Sequence, residues 1–180
     1  MALSIARPKE DEFNPYYAGY IGRLPGDTDV LDALERQRAA MMKFVGSLGD
    51  EKANYRYGPD KWTVKEVIGH LIDAERVFSY RAMRIARNDT TPLPGFDEKA
   101  YVPAGEFHRR TLKDLGDEYD HVRRATIALA RSMTPEMHAR QGTANANPIS
   151  VRALFWITAG HERHHWAILA ERYGVTIPPM

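Results

Sequence analysis

Two histidines four residues apart, His161 and His165, carry the first chemical signal in this chain. They belong to Gly160-His161-Glu162-Arg163-His164-His165, set inside the apolar run from Val151 to Ala170. In a helix that step places two imidazoles one turn apart on one face, close enough to grip one ion together. Two rings on a buried face must each satisfy polar nitrogens, and a metal satisfies both at once. His70, in a second helical pattern, is the best candidate for a third ligand. Three neutral imidazoles leave coordination positions open, as in a catalytic rather than a structural site. Zinc, nickel, copper and ferrous iron all accept imidazole, so the donor type alone does not choose among them.

The same stretch also reads H-E-x-x-H, in which two histidines bind zinc and the glutamate activates a water for peptide cleavage. Proteases of that kind find a third ligand further along the chain, and little chain follows His165. Nothing here suggests their sheet and deep cleft either, so the peptidase reading is set aside. Glu162 is kept as a candidate catalytic base or as a residue that orients a ligand.

Which elements hold these residues follows from apolar spacing. Residues 1–26 hold Pro8, Pro15, Gly19, Gly22, Pro25 and Gly26 among three tyrosines, and read as an irregular arm lying on the body. A helix follows from about Asp29 to Leu48, with Gly49 as its stop. Thr63-Val64-Lys65-Glu66 has the capping-box form and opens a helix from Val64 to Ala86. Residues 88–107 form a long excursion with room for a short helix near Asp97 to Tyr101. Loops of that length in compact domains tend to be functional. Thr111 opens a helix to about Met133, and Thr134-Pro135-Glu136 starts a further short turn. Gln141 to Pro148 reads as loop, and no strand pattern stands out. Ser150 caps the last helix, which runs to Tyr173 before Gly174 and Pro178-Pro179. Four long helices imply an all-α domain over residues 27–180, most simply a four-helix bundle.

On the last helix, advancing 100° per residue from His161 puts His165 at about 40°, Leu154 at about 20° and Ile157 at about −40°. Both imidazoles share their face with side chains that seek burial. His164, at about −60°, sits at its edge. His70 lies at one margin of its own helix's apolar stripe, as suits a residue facing a cleft. Asp73 and Glu66 are candidates to orient its ring. Trp62, Trp156 and Trp166 read as bundle packing. Arg76, Arg84 and Arg87 read as a solvated stripe, His108, His121 and His138 as surface residues, and Asn145 and Asn147 as loop composition.

In bulk, 25 basic residues nearly cancel 24 acidic ones for a net charge of +1 in 180 residues. That disfavours a nucleic-acid partner, which asks for a concentrated basic surplus. The chain has no cysteine, which excludes disulfides, a cysteine nucleophile and thiolate-held metal. Charge and proline break up the N-terminus too early for a signal-peptide core. No apolar run reaches the roughly 20 residues of a membrane span, so a cytoplasmic protein without a membrane partner is expected.

The chain resembles the DinB-like, or YfiT-like, superfamily of four-helix proteins over about residues 28 to 174. The resemblance is carried by Lys61-Trp62-Thr63-Val64-Lys65-Glu66-Val67-Ile68-Gly69-His70-Leu71, by Gly160 to His165, and by Leu93-Pro94-Gly95-Phe96-Asp97-Glu98. It implies nickel or zinc held by one histidine of the second long helix and two of the fourth. By position these are His70, His161 and His165, the trio the spacing points to. It also implies a homodimer. Characterised relatives include thiol-dependent transferases and isomerases, in which the metal carries a low-molecular-weight thiol as thiolate. The expectation is therefore a metal-dependent transferase or hydrolase acting on a small molecule. The ion would lower the pKa of a bound water or thiol, any thiol would arrive as co-substrate, and Phe96 to Tyr101 would border the substrate's way in. The alternative is a non-catalytic, metal-binding, stress-associated dimeric scaffold.

Overall fold

The computed structural model describes residues 4–180, so the first three residues of the expected arm lie outside it. Four long helices form the body: α2 (Val30–Ser47), α4 (Val64–Ala86), α6 (Leu112–Arg131) and α8 (Val151–Tyr173). Shorter pieces are α1 (Ala18–Ile21), α3 (Asp50–Ala53), α5 (Glu98–Ala104) and α7 (Pro135–Ala139). The long helices start where side chains can satisfy the free N–H groups of a first turn. Asp29 caps α2, Thr111 caps α6, and the Ser150 hydroxyl accepts from the Ala153 N–H at 3.1 Å. Thr63 and Glu66 close a reciprocal capping box on α4, the Thr63 N–H reaching the Glu66 carboxylate at 2.7 Å. Gly174, at φ 61°, ends α8 in the left-handed conformation that glycine adopts without cost.

The main packing partners are α4 with α8, α2 with α6 and α4 with α6, with α2 also touching α8. Sequence-consecutive α2 and α4 therefore sit on one diagonal of the bundle, and α6 and α8 on the other. Diagonal placement brings α4 beside α8, and so brings the helix of His70 beside the helix of His161 and His165.

Helix α8 is apolar almost all round, with Leu154, Phe155, Trp156 and Ile157 consecutive and buried. A bundle neighbour covers only one stripe of a helix, so such a segment needs a second cover. The N-terminal segment supplies it. The Trp156 indole donates to the Ile5 carbonyl at 3.2 Å, Arg152 pairs with Glu12, and Gly160 lies against the backbone of Tyr20. Where an irregular arm was expected, the segment carries 3-10 turns at Glu10–Glu12 and Pro15–Tyr17 leading into α1.

Apart from the short helices α1 and α3, one element departs from the sequence reading. Residues 141–150 form a hairpin, β1 (Gln141–Ala144) against β2 (Asn147–Ser150), rather than a loop. Asn145 and Ala146 both take positive φ, 49° and 60°, as a two-residue turn with the twist of its strands requires. The Leu93 N–H donates to the Thr143 carbonyl at 2.9 Å and ties the long excursion to the hairpin. The cue is weak because Asn-Ala lacks the usual turn glycine and the strands are four residues each.

Candidate metal centre

His70 lies in the second turn of α4, while His161 and His165 are one turn apart on α8. All three are buried, at 5%, 6% and 8% of full exposure. The Nε2 atom of His161 is 3.1 Å from Nε2 of His70 and 3.1 Å from Nε2 of His165. One nitrogen of each ring lies within 4.8 Å of the other two, the one such metal-capable group among the described residues. The three side chains expected from the spacing do meet.

Burial pushes the His70 imidazole down to about 4, against a smaller upward pull from Glu98. His161 and His165 lie well below the usual imidazole range, first because of burial and then because neighbouring rings oppose a further positive charge. The rings are therefore neutral near pH 7. Each neutral ring nitrogen carries a proton or a lone pair, never both. His161 Nε2 accordingly cannot donate to one neighbour and accept from the other, and ordinary hydrogen bonding leaves the trio unsatisfied. A cation shared by three lone pairs resolves the conflict. Ligand nitrogens at roughly 2.0–2.1 Å from one ion stand roughly 3 Å or a little more apart. The donor set fits a metal.

Beside the cluster lies a cavity of about 400 Å³. Its aromatic wall is Trp62, whose ring centre is 5.0 Å from that of His70, with Phe78 from α4 and Tyr20 from the arm against His161. Trp62 thus lines the cavity as well as packing. Phe96 and Glu98 come from the long excursion, and Asn145 and Asn147 from the hairpin. His164 also faces the cavity and packs against Tyr20 at a tilt, but stands outside the three-ring cluster. Glu98 falls within the Phe96 to Tyr101 segment expected at the entrance, whereas sequence reasoning missed Arg81 as a lining residue. Arg81 is eleven residues beyond His70 and so returns to the same face of α4, a periodicity that was there to be read.

Glu162 turns away from this cavity. Its carboxylate is 1% exposed and accepts from the Tyr119 hydroxyl at 2.7 Å, from the Trp166 indole at 2.9 Å, and from Arg123. The base expected at this position is corrected, because one residue past His161 is 100° round the helix and points into the bundle core. Arg123 holds Glu75 through two N–H groups at 2.8 and 2.9 Å and also donates to the Leu34 carbonyl at 3.1 Å. Leu34 on α2, Glu75 on α4, Arg123 on α6 and Glu162 on α8 join all four long helices in one buried network. Burial pulls the Arg123 guanidinium down, but Glu162 and Glu75 outweigh it and hold its pKa well above the usual value.

Other expectations are corrected too. Neither Asp73 nor Glu66 hydrogen-bonds His70: Glu66 serves the cap of α4, and Asp73 makes no such bond among the described residues. His138 is buried, not a surface residue, its Nε2 facing the Ala130 carbonyl at 3.1 Å. Arg76 and Arg84 do pair on the surface, with Glu118 and Asp89.

A four-helix bundle with three convergent imidazoles at its α4–α8 seam defines a class, and the comparisons assign the chain to it. The family model described as the DinB superfamily matches residues 33–169, so the chain belongs to that superfamily. It is similar to an Oceanobacillus iheyensis protein named "Putative metal-dependent hydrolase OB0413", 23% identical over 142 residues that span 76% of this chain and 79% of the relative. Its fold matches that of YfiT from Bacillus subtilis with a TM-score of 0.70 at 20% identity, over 94% of both chains. YfiT is described as "a probable metal-dependent hydrolase with an unusual four-helix bundle topology". None of the described helices is long and apolar enough to cross a membrane.

Proposed function

We propose that the protein is a metal-dependent hydrolase of a small molecule, with His70, His161 and His165 holding one divalent cation. The observation that carries this reading is the three buried, neutral imidazoles turned onto one another beside a cavity of about 400 Å³. When bound, the ion supplies Lewis-acid chemistry, lowering the pKa of a ligand water and polarising a carbonyl. Nickel and zinc suit the all-imidazole donor set.

The chain's own residues do the rest. Trp62 and Phe78 exclude water from the histidine end of the cavity and offer apolar surface to the substrate. Glu98 is the carboxylate on the cavity wall and takes the role first assigned to Glu162, holding a proton near the reacting group. Hydrolysis is preferred to thiol transfer because both relatives are described as hydrolases. With no cysteine, a transferase would depend on a thiol co-substrate. The cavity beside the histidines favours catalysis over a non-catalytic scaffold, since a purely structural site has no use for room at its open positions. Homodimerisation and a cytoplasmic setting are part of the same proposal.

Elemental analysis of the purified protein, joined to assays of ester, amide and thiol-transfer substrates with and without the ion, tests it. We expect about one divalent ion per chain, lost in His161→Ala, and hydrolysis that follows the ion. Stoichiometric metal retained by His161→Ala overturns the ligand assignment. Metal without turnover across that panel favours the scaffold.

A further inference from the structure

Helix α4 carries four cavity-lining residues on one face: His70, Ala74, Phe78 and Arg81. Eleven residues at 1.5 Å rise separate the Cα atoms of His70 and Arg81 by roughly 16 Å, so the cavity has a histidine end and an arginine end. Arg81 is 3% exposed and carries no carboxylate partner among the described residues. Its neighbours are neutral: the Pro94 carbonyl accepts from Nη2 at 2.6 Å, the Phe96 ring centre lies 5.8 Å away, and the Tyr17 phenol is beside it. Glu98, the carboxylate among the lining residues, bears on His70 and forms no ion pair with Arg81.

Buried cations are ordinarily paired, because removing a charge from water without compensation is expensive. The other buried arginine among the described residues, Arg123, obeys that rule with two glutamates. Arg81 does not, although a guanidinium offers five N–H donors in a planar fork that matches a carboxylate. A cavity that ends on such a group is complementary to a negative charge.

We propose that Arg81 is the substrate's anion anchor: the ligand carries a carboxylate or similar anionic oxygen group bound at Arg81 and presents its reacting group to the histidine end. Phe78 and Phe96 bracket an apolar or aromatic middle, and Arg81 sets specificity and register rather than taking part in bond breaking. This rests on the reading that the cavity receives the substrate.

Titration calorimetry with 4-phenylbutanoate and its uncharged amide tests the assignment on metal-loaded and metal-stripped protein alike. The acid should bind at least about tenfold more tightly than the amide in both forms, as a desolvated charge-assisted pair provides. Arg81→Gln should abolish that preference, and Arg81→Lys should retain part of it, which separates charge recognition from misfolding. An acid preference that vanishes with the metal but survives Arg81→Gln would place the carboxylate on the ion and overturn the proposal. Equal binding of acid and amide, or no binding of the acid at millimolar concentration, overturns it as well. A preference that persists in the metal-stripped protein stands even if the His161→Ala result overturns the metal assignment.

Discussion

Glu162 and His161 are adjacent in sequence and serve different faces of α8, about 100° apart. The first belongs to the core network of Arg123 and Glu75, the second to the cavity. Exchanging Glu162 for glutamine removes the charge while leaving a side chain of similar shape against Trp166. Breaking a buried ion pair in this way costs about 3–5 kcal/mol. Glu162→Gln should accordingly lower the unfolding free energy by that order while keeping its full complement of metal. Denaturant melts and elemental analysis read the two quantities separately, and unchanged stability with lost hydrolysis would restore Glu162 as the base. The residue types here were visible beforehand: His161 and His165 could be singled out because a four-residue step has one meaning on a helix, and His70 as the best third candidate at the margin of its own helix's apolar stripe. Arg123 and Glu75 could not, since one charged residue among many on amphipathic helices carries no mark of being buried.

At the scale of elements, the cavity depends on how the N-terminal segment docks. Gly160 faces the carbonyl of Tyr20, and a Cβ built there would lie 2.1 Å from that oxygen. A backbone atom cannot swing aside as a flexible side chain can, so helix and arm must separate. Gly160→Ala should cost about 1–3 kcal/mol, the usual range for forcing atoms into a packed site. It should also speed amide exchange across Ala18–Ile21 while the four long helices stay protected. Uniform exchange in variant and parent would mean that the arm does not depend on this crossing. The long helices were legible from their caps and apolar periods, as Thr63 with Glu66 and Ser150 before α8 illustrate. The hairpin was not. Its turn relies on Asn145 and Ala146 accepting positive φ, a local cost that pairing with Leu93 and packing of Gly142 against Ile85 sustain.

Across the whole molecule, stability should respond to pH through its buried histidines, and His138 isolates the effect because it lies outside the cavity. Burial holds its imidazole below the usual range, the Ala130 carbonyl only partly offsetting this, and its Nδ1 has no partner among the described residues. The unfolded side chain titrates near about 6.5. Below that pH the unfolded state therefore binds more protons than the folded one. The contribution of neutral His138 is present above that pH and is lost as pH falls through it toward the depressed folded value. The difference in unfolding free energy between the parent and His138→Gln should shift against the parent between about pH 7.5 and about pH 5.5. The cavity histidines are common to both proteins and cancel. A difference that does not vary with pH would show that His138 binds protons equally in both states. Periodicity and capping by themselves determined the four helices and pointed to the three candidate ligands, because both act between residues a few positions apart, and the resemblance of whole motifs to a metal-binding superfamily implied the rest. Which helices lie side by side, which way Glu162 turns, and that Arg81 ends a cavity without a counter-charge were decided only by the packed chain. Those outcomes depend on contacts between segments tens of residues apart, and no local pattern records them.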